Sequence, residues 1–204
     1  MSYSNIVFVF AHGAGAGMDS DFMLQVSQQL NDHGIEVKRF EFPYMKKIRA
    51  EGKRRPPDRM PKLLSSFEEE LTAISREKMI LIGGKSMGGR VASLLAASHG
   101  CELGIEAVIC FGFPFHPPKK LEKFRGEHLE TINIPTLILQ GERDPFGTED
   151  EITNYLLSKH VRVNLIKDGD HSFKPRVKSG TTFNRNIECA VNHIISFVDE
   201  IICK

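Results

Sequence analysis

The stretch from Met79 to Gly89 constrains the fold of this chain more than any other part of its sequence. It reads MILIGGKSMGG and joins a short apolar run to a cluster of glycines around a single serine, Ser86. Such an apolar run is typical of a strand buried on both faces, and residues 91–97, which follow, favour a helix. A strand, a tight turn and a helix are the context in which the G-x-S-x-G nucleophile elbow occurs.

The two outer glycines of this motif, Gly84 and Gly88, have a physical reason to be there. The turn places its central residue in a strained backbone conformation, and the strand and helix pass so close that a Cβ atom at either glycine would clash. We therefore expect Ser86 to project away from the backbone. We also expect the amide N–H of Met87 to point toward the atom that Ser86 attacks.

Two other interpretations of the motif compete with the elbow. Gly84-Lys85-Ser86 matches the end of a phosphate-binding P-loop, but that motif needs a glycine five residues before Gly84, where this chain has Met79. The phosphate-binding interpretation therefore fails. In the second interpretation the glycines form only a strand-to-helix turn with an idle serine, and the rest of the chain has to decide between this and the elbow.

The size and composition of the chain limit its functional class. Its 204 residues suit one domain, which we expect to span residues 1–204. With 41% apolar residues, 26% charged residues and a net charge of +1, the composition indicates neither a nucleic-acid nor a membrane partner. We find no signal-peptide pattern and no apolar run near the ~20 residues of a membrane span. The four cysteines lack C-x-x-C spacing and are interpreted as reduced thiols of a cytoplasmic protein.

Strand and helix patterns alternate along the whole chain. Apolar or alternating runs predict strands at residues 5–11, 35–42, 79–82, 105–111, 134–140 and 161–166. Helical spacing predicts helices over residues 21–32, 62–77, 149–160 and 185–202, with a short helix within 119–131. This alternation predicts an α/β fold of about six mainly parallel strands with helices on both faces. In such a sheet, ligands bind at the carboxyl ends of the strands.

A glycine-rich loop from His12 to Gly17 leaves the end of the first predicted strand. Its spacing partly matches the dinucleotide-binding pattern G-x-G-x-x-G, but the third glycine would have to stand where the chain has Met18. The interpretation we favour is an oxyanion loop, whose backbone N–H groups meet negative charge that develops in a reaction. Ala14 and Gly15 are its expected donors, and they act together with the N–H of the residue that follows the elbow serine.

Three residues of complementary chemistry, Ser86, Asp144 and His171, follow three different predicted strands. A serine hydroxyl is a poor nucleophile at neutral pH, so it needs a base, and the base needs an acceptor that fixes its tautomer. The chain order serine, acid, histidine is one in which such triads occur. Asp168 and Asp170 are rival acids, but they lie on the same loop as His171, too near in sequence to orient its imidazole easily.

Several residues beside these loops are candidates for contact with a substrate. The apolar, proline-rich loop at residues 112–118 is of the kind that lines an acyl pocket, and Phe113 and Phe115 are its candidate contacts. His12 and Lys85 are further candidates, because one adjoins the oxyanion loop and the other precedes the elbow serine.

The segment 44–62, called here the basic segment, carries eight basic residues against two acidic ones. Its three prolines predict a structured loop rather than a helix. One interpretation is a solvated surface loop. The other is a basic rim near the active site that favours an anionic substrate or a partner. We expect Lys85, Arg90 or this segment, with Arg54 and Arg55 as its candidate contacts, to attract such a substrate.

The motifs of the chain resemble those of the α/β-hydrolase superfamily, and more closely those of a small hydrolase-like group. That group is shared by bacterial proteins, the testis-expressed family and a subunit of the chromatin NSL complex. The resemblance spans nearly the whole chain and is carried by FAHGAGAGMDSDFM at 10–23, RFEFPYM at 39–45, KRRPPDR at 53–59, GGKSMGGR at 83–90, QGERDPFG at 140–147 and DGDHSF at 168–173.

This resemblance implies a minimal α/β-hydrolase fold. The two early antiparallel strands of larger members are missing, and no lid-sized insertion separates the elbow helix from Asp144, which favours small, soluble substrates in an open site. Dienelactone hydrolase-like enzymes are similar in size. They usually carry cysteine where this chain has Ser86, so their specific reaction is not carried over.

The residues and the resemblance together predict a serine hydrolase that cleaves a small carboxylic ester or thioester through an acyl-enzyme. Ser86 attacks, His171 acts as base and then as acid, and Asp144 holds the imidazole, with Met87 among the oxyanion donors and no metal or cofactor required. The alternative class is an α/β-hydrolase-like interaction module with little or no turnover. An acyltransferase that uses the same intermediate is a third hypothesis, and the oligomeric state is not predicted.

Overall fold

The structure, a computed structural model, describes residues 3–203 and is built on a six-stranded sheet; residues 1, 2 and 204 of the expected domain lie outside the described residues. The strands are β1 Ile6–Ala11, β2 Glu36–Phe40, β3 Met79–Lys85, β4 Ile105–Phe111, β5 Thr136–Gly141 and β6 Val161–Ile166. Neighbouring strands all pair in parallel, in the order β2-β1-β3-β4-β5-β6. The predicted α/β sheet is therefore confirmed.

Helices cover both faces of the sheet. They are α1 Asp21–Asp32, α2 Pro43–Glu51, α3 Met60–Thr72, α4 Met87–His99, α5 Glu149–Ile152 and α6 Phe183–Ile202, with a 3₁₀ helix at Glu127–Glu130. α1 and α6 pack on the face that carries Phe8, and the other four α-helices on the face that carries Val9. All six residues of β1 are buried, as its continuous apolar sequence requires. Within residues 3–203, no helix combines the length and apolar character needed to cross a bilayer.

The order of the strands reverses between β1 and β3, and this reversal positions the candidate site. From β1 the chain moves to β2 on one side and then crosses back to β3 on the other. The helices that follow β1 and β3 lie on opposite faces of the sheet, so a crevice opens between the carboxyl ends of these strands. The loop that starts at His12 and the turn at Ser86 lie on its two sides.

The basic segment is helical at both ends, so the prediction of a loop is wrong for residues 44–51 and 60–62. Pro43 is the first residue of α2, and Pro61 lies in the first turn of α3. Proline is tolerated in a first turn because its missing N–H would have no intrahelical acceptor there. Residues 52–59, between the two helices, form no regular structure. The helix α2 buries Tyr44 on its inner side.

Two predicted helices are shorter than expected. The helix predicted over 149–160 ends at Ile152, because the Thr153 and Asn154 side chains each donate to the backbone oxygen of Asp150, both at 2.8 Å. Such bonds compete with helix formation. The helix predicted to reach residue 77 ends at Thr72.

The glycines of the elbow lie where the end of β1, the end of β3 and the start of α4 come into close contact. A Cβ atom on Gly84 would lie 2.4 Å from the carbonyl carbon of Gly88. A Cβ atom on Gly88 would lie 2.6 Å from the backbone oxygen of Ala11, at the end of β1. Both contacts are with backbone atoms, which have little freedom to move, so only glycine fits at either position.

We expect Gly84→Ala to lower the free energy of unfolding by about 1–3 kcal/mol or more, because the added methyl group forces β3 and α4 apart. Urea unfolding followed by circular dichroism measures this change. Gly15→Ala is the matched control, because a Cβ atom there has no neighbour within 4 Å among residues 3–203. We expect it to change the value by less than about 0.5 kcal/mol. Equal unfolding midpoints for the two variants would contradict the crowding argument.

Candidate active site

Ser86 joins β3 to α4 in a backbone conformation that few residues other than glycine adopt. Its φ of 52° and ψ of −115° lie outside the common regions and store strain of roughly 1–3 kcal/mol. The N–H of Ser86 donates to the backbone oxygen of Phe111 at 2.9 Å, which ties the turn to the neighbouring strand β4. The hydrogen bond to β4 therefore helps to hold the strained serine in place.

His171 connects Ser86 to Asp144 through both of its ring nitrogens. Its Nε2 lies 2.8 Å from the Ser86 Oγ, and its Nδ1 lies 2.8 Å from the Asp144 Oδ2. The carboxylate can only accept, so Nδ1 carries the proton and Nε2 is free to accept the serine hydroxyl. Gly112, with a φ of 62°, makes room for this histidine, since a Cβ atom there would lie 2.8 Å from the His171 backbone oxygen.

Asp144 is fully buried and is held by two further donors. The Nε2 of Gln140 donates to Oδ2 at 3.0 Å, and the N–H of Phe146 donates to Oδ1 at 2.9 Å. Gln140 is itself fully buried and also bonds to the backbone of Phe113 and Gly147. A buried carboxylate needs such donors to remain charged. Sequence reasoning missed Gln140, although a polar residue near the end of the apolar strand TLILQG is a usable signal.

The two rival acids are occupied elsewhere. Asp168 accepts the backbone N–H and the Nε of Arg176, both at 2.7 Å, and this arginine lowers the pKa of the Asp168 carboxyl. Asp170 accepts the N–H of Ser172 at 2.8 Å. Both aspartates therefore shape the loop after β6, while Asp144 is the acid that contacts the histidine.

The loop after β1 lies directly against the elbow. A Cβ atom on Gly13 would lie 3.7 Å from the Cβ of Ser86, and Ala14 and Gly15 line the cavity in front of the serine. In the described part of the chain, the N–H groups of Ala14 and Gly15 have no hydrogen-bond acceptor. Met87 is the first residue of α4, where an N–H has no intrahelical acceptor. The three predicted oxyanion donors are thus free to bind a ligand.

Lys85 is a buried cation at the base of the same cavity. Its side chain is 8% exposed, its ammonium donates to the backbone oxygen of His171, and it lies 5.5 Å from the ring centroid of Phe22. Over residues 3–203 it forms no ion pair with a carboxylate. Burial lowers the pKa of Lys85 to about 8, a shift that the charges of Asp144 and Asp170 partly oppose.

A cavity of about 630 Å³ opens in front of Ser86 and His171. Aromatic rings form much of its wall: Phe22, Phe146 and Phe183. The ring of Phe146 lies 4.3 Å from that of His171, centroid to centroid. The polar lining includes Asp21, Gln25 and Lys174. Sequence reasoning missed the aromatic residues because nothing in their local pattern separates a cavity wall from an ordinary core.

Three of the predicted substrate contacts lie elsewhere. Phe113 and Phe115 are fully buried and pack against each other, at a centroid distance of 4.8 Å, in the core on the face of α4. His12 is also fully buried; its Nε2 accepts the N–H of Phe42 at 3.1 Å, and its Nδ1 lies 2.7 Å from the backbone oxygen of Gly13. The structure therefore corrects the prediction that these residues contact a substrate.

The arginines of the basic segment are also remote from the cavity. Arg54 and Arg55 are exposed in the stretch 52–59, Arg55 pairs with Glu51, and neither lines the cavity. Arg90 points to a different partner, since its Nε donates to the backbone oxygen of Arg125 at 3.3 Å. The surface-loop interpretation therefore fits Arg54 and Arg55, and the predicted basic rim of the site is not formed by them.

Comparison with known proteins supports the same architecture. Residues 4–199 match the family model described as alpha/beta hydrolase domain. Est1E from Butyrivibrio proteoclasticus, solved with ferulic acid bound, superposes with a TM-score of 0.72 at 15% identity, covering 98% of this chain and 90% of that chain. Dienelactone hydrolase from Anabaena variabilis gives 0.67 at 20% identity, covering 95% and 87%. A serine hydrolase without lid from Xanthomonas campestris gives 0.66 at 15% identity, covering 98% and 83%.

We expect Gln140→Leu to lower the free energy of unfolding by about 1–3 kcal/mol for each polar group it leaves unsatisfied, among them the buried N–H of Phe113. Urea unfolding measures the loss. Gln28→Leu is the matched control, because Gln28 is exposed and its amide bonds only to Asp32. A Gln140→Leu protein as stable as the Gln28→Leu protein would contradict a role for Gln140 in holding Asp144.

Proposed function

We propose that this chain, which belongs to the α/β-hydrolase family, is a serine hydrolase that uses Ser86, His171 and Asp144 as its catalytic triad. The observation that carries the proposal is the continuous hydrogen-bond chain from the Asp144 Oδ2 through both nitrogens of His171 to the Ser86 Oγ. Both links measure 2.8 Å, a distance at which a base can take a proton from its nucleophile. Family membership supports hydrolase activity in general.

In the proposed reaction, the Ser86 Oγ attacks the carbonyl carbon of an ester or thioester while Nε2 of His171 takes the hydroxyl proton. The carbonyl π electrons move to oxygen and give a tetrahedral intermediate. Its collapse breaks the bond to the leaving alcohol or thiol, to which His171 returns the proton. Water then attacks the acyl-enzyme in the same way and releases a carboxylic acid. Asp144 stabilises the imidazolium that forms in both halves.

The negative charge on the intermediate needs hydrogen-bond donors that are already in place. We assign this role to the N–H of Met87 on one side and to the N–H of Ala14, with Gly15 next, on the other. Each such donor contributes roughly 3–4 kcal/mol to the transition state where it has been measured in other enzymes. The support for this assignment is that these N–H groups adjoin Ser86 and have no acceptor among residues 3–203.

The proposed substrate is a small ester or thioester. The cavity volume of about 630 Å³ lies within the usual range for small-molecule sites, and its aromatic wall suits an apolar acyl group. Est1E holds ferulic acid, so a feruloyl ester belongs in the first substrate panel. We assign the activity to a single domain over residues 1–204, of which the sheet and its helices between Ile6 and Ile202 are described.

Lys85 gives a reason to extend this substrate class to acyl groups with an anionic end. A buried ammonium is costly unless a carboxylate compensates it. In the described part of the chain the Lys85 ammonium donates to a backbone oxygen and lies over the Phe22 ring, but it forms no ion pair. A carboxylate at the far end of the acyl group would supply the missing charge. The proposed preferred substrates are therefore short acyl esters that carry this second carboxylate.

We expect a fluorophosphonate probe to label the wild-type protein, because an activated Ser86 displaces fluoride and forms an Oγ–P bond. Ser86→Ala abolishes the labelling, and Ser98→Ala, an exposed serine on the same helix, retains it. Hydrolysis of p-nitrophenyl acetate and butyrate follows the same pattern. Asp144→Asn lowers turnover on the order of 10⁴-fold by leaving the imidazole in the wrong tautomer. Gel fluorescence and absorbance measure the two effects.

The same experiment separates the alternatives. Absence of labelling in a folded wild-type protein would overturn the hydrolase proposal and favour an interaction module. Labelling together with transfer of the acyl group to an added alcohol, in place of hydrolysis, would indicate an acyltransferase.

We expect Lys85→Met to lower kcat/KM for p-nitrophenyl hemisuccinate by roughly 10- to 100-fold relative to the butyrate ester, because a hydrogen bond to a charged group contributes about 1.5–3 kcal/mol. The wild-type preference for hemisuccinate declines as the pH rises through about 8, where Lys85 loses its charge. Lys47→Met, which removes an exposed lysine of α2, leaves the preference unchanged. An equal loss on both esters would contradict anion recognition.

A further inference from the structure

Two buried side chains that the proposed mechanism does not use lie beneath the oxyanion loop. The hydroxyl of Tyr44, on α2, lies 3.1 Å from the backbone oxygen of Gly13 and 3.1 Å from that of Ala14. The Nδ1 of His12 lies 2.7 Å from the same Gly13 oxygen. Both side chains are almost completely excluded from solvent. Two consecutive carbonyl groups of the loop are thus held from below.

The hydrogen-bond pattern assigns the protons of this cluster. The Nε2 of His12 accepts the N–H of Phe42, so its Nδ1 carries the proton and donates to the Gly13 oxygen. Burial lowers the pKa of His12 and so favours this neutral form. Burial also raises the pKa of Tyr44, which keeps the proton on its hydroxyl. Since the Gly13 oxygen already has a donor, the hydroxyl proton of Tyr44 is available to the Ala14 oxygen.

Because a peptide unit is planar, fixing these two carbonyl groups also fixes the direction of the N–H group that follows each of them. In a trans peptide unit the carbonyl oxygen and the following N–H point in opposite directions, and the described chain contains no cis bond. Because the Gly13 carbonyl points down to His12 and Tyr44, the Ala14 N–H points away from them. The Ala14 carbonyl orients the Gly15 N–H in the same way. Ala14 and Gly15 both line the cavity, so N–H groups that point away from Tyr44 and His12 can reach a ligand there.

We propose that Tyr44 and His12 are positioning residues that aim the Ala14 and Gly15 N–H groups at the developing oxyanion, an inference that rests on the proposed function. A loop with glycines at alternate positions has many accessible conformations. Hydrogen-bond donors without a fixed orientation contribute little to the stabilisation of a transition state. Fixing two successive carbonyl groups removes this freedom before the substrate arrives. The site is thereby preorganised by groups that never touch the substrate.

Tyr44→Phe tests the proposal, because it removes one hydroxyl and keeps the ring. We expect kcat to fall on the order of 10- to 100-fold, less than the 10²–10³-fold seen when an oxyanion donor is deleted outright, with KM little changed. Tyr155→Phe is the matched control, because the buried Tyr155 hydroxyl has no hydrogen-bond partner within residues 3–203. We expect it to keep the wild-type kcat.

A second readout separates aiming of the N–H groups from general loosening of the fold. An alkyl boronic acid accepts an oxygen lone pair of Ser86, while His171 takes the proton, and forms a tetrahedral anion that resembles the intermediate. Its inhibition constant is expected to weaken in Tyr44→Phe by about the same factor as kcat. A lower urea midpoint with unchanged kcat and inhibition constant would overturn the proposal, as would a variant indistinguishable from wild type.

Failure of the proposed function gives a different result. In that case the wild-type protein does not react with the fluorophosphonate probe. NMR then tests whether the Tyr44 hydroxyl anchors the loop. Lower ¹⁵N order parameters at Ala14 and Gly15 in Tyr44→Phe, but not in Tyr155→Phe, would support an anchoring hydroxyl. Unchanged order parameters at both residues would overturn it.

Discussion

The close approach of three backbones at the elbow is the constraint on which the rest of the structure depends. The end of β1, the end of β3 and the start of α4 meet at Gly84 and Gly88 with no room for a Cβ atom on either. This contact brings the loop after β1 against Ser86 and opens the crevice where the strand order reverses. The strands β5 and β6 then carry Asp144 and His171 to the same edge of the sheet. The lack of room for a Cβ atom at Gly84 and Gly88 thus determines which loops come together around Ser86.

The polar groups near the site fall into two sets, and the difference between them explains how the site is built. One set is satisfied within the protein: Gln140 bonds to Asp144, and His12 and Tyr44 bond to the backbone of the loop after β1. The other set consists of the Ala14 and Gly15 N–H groups, which belong to residues that line the cavity and have no protein acceptor within residues 3–203, and the ammonium of Lys85, which has no carboxylate partner there. Buried polar groups are normally paired, so the second set marks where a ligand's charge is expected. The first set holds Asp144 and the loop after β1 in position around that charge.

Much of the fold and the candidate triad could be predicted from the sequence, because both depend on short-range patterns. Buried parallel strands are continuous apolar runs, and the residues at their ends, such as Ser86, stand out against them. The rest depends on tertiary contacts. Phe113 lies in an apolar loop of the kind that lines a pocket, but it packs in the core on the face of the sheet that carries α4. The prolines of the basic segment suggested a loop, but Pro56 and Pro57 lie between the two helices and Pro61 lies in the first turn of α3, so none of them interrupts α2, which carries Tyr44.

The attachment of α2 to the rest of the protein has a consequence for stability. The candidate triad is carried by strands at the middle and one side of the sheet, whereas the loop after β1 rests on a nine-residue helix whose buried residues are Tyr44 and Met45. Short elements with few buried apolar groups open locally at a lower free-energy cost than the whole domain unfolds. Opening of α2 would leave Ser86, His171 and Asp144 assembled but release the loop above it. Local opening of α2 is therefore expected to slow the proposed reaction while it leaves the candidate triad assembled.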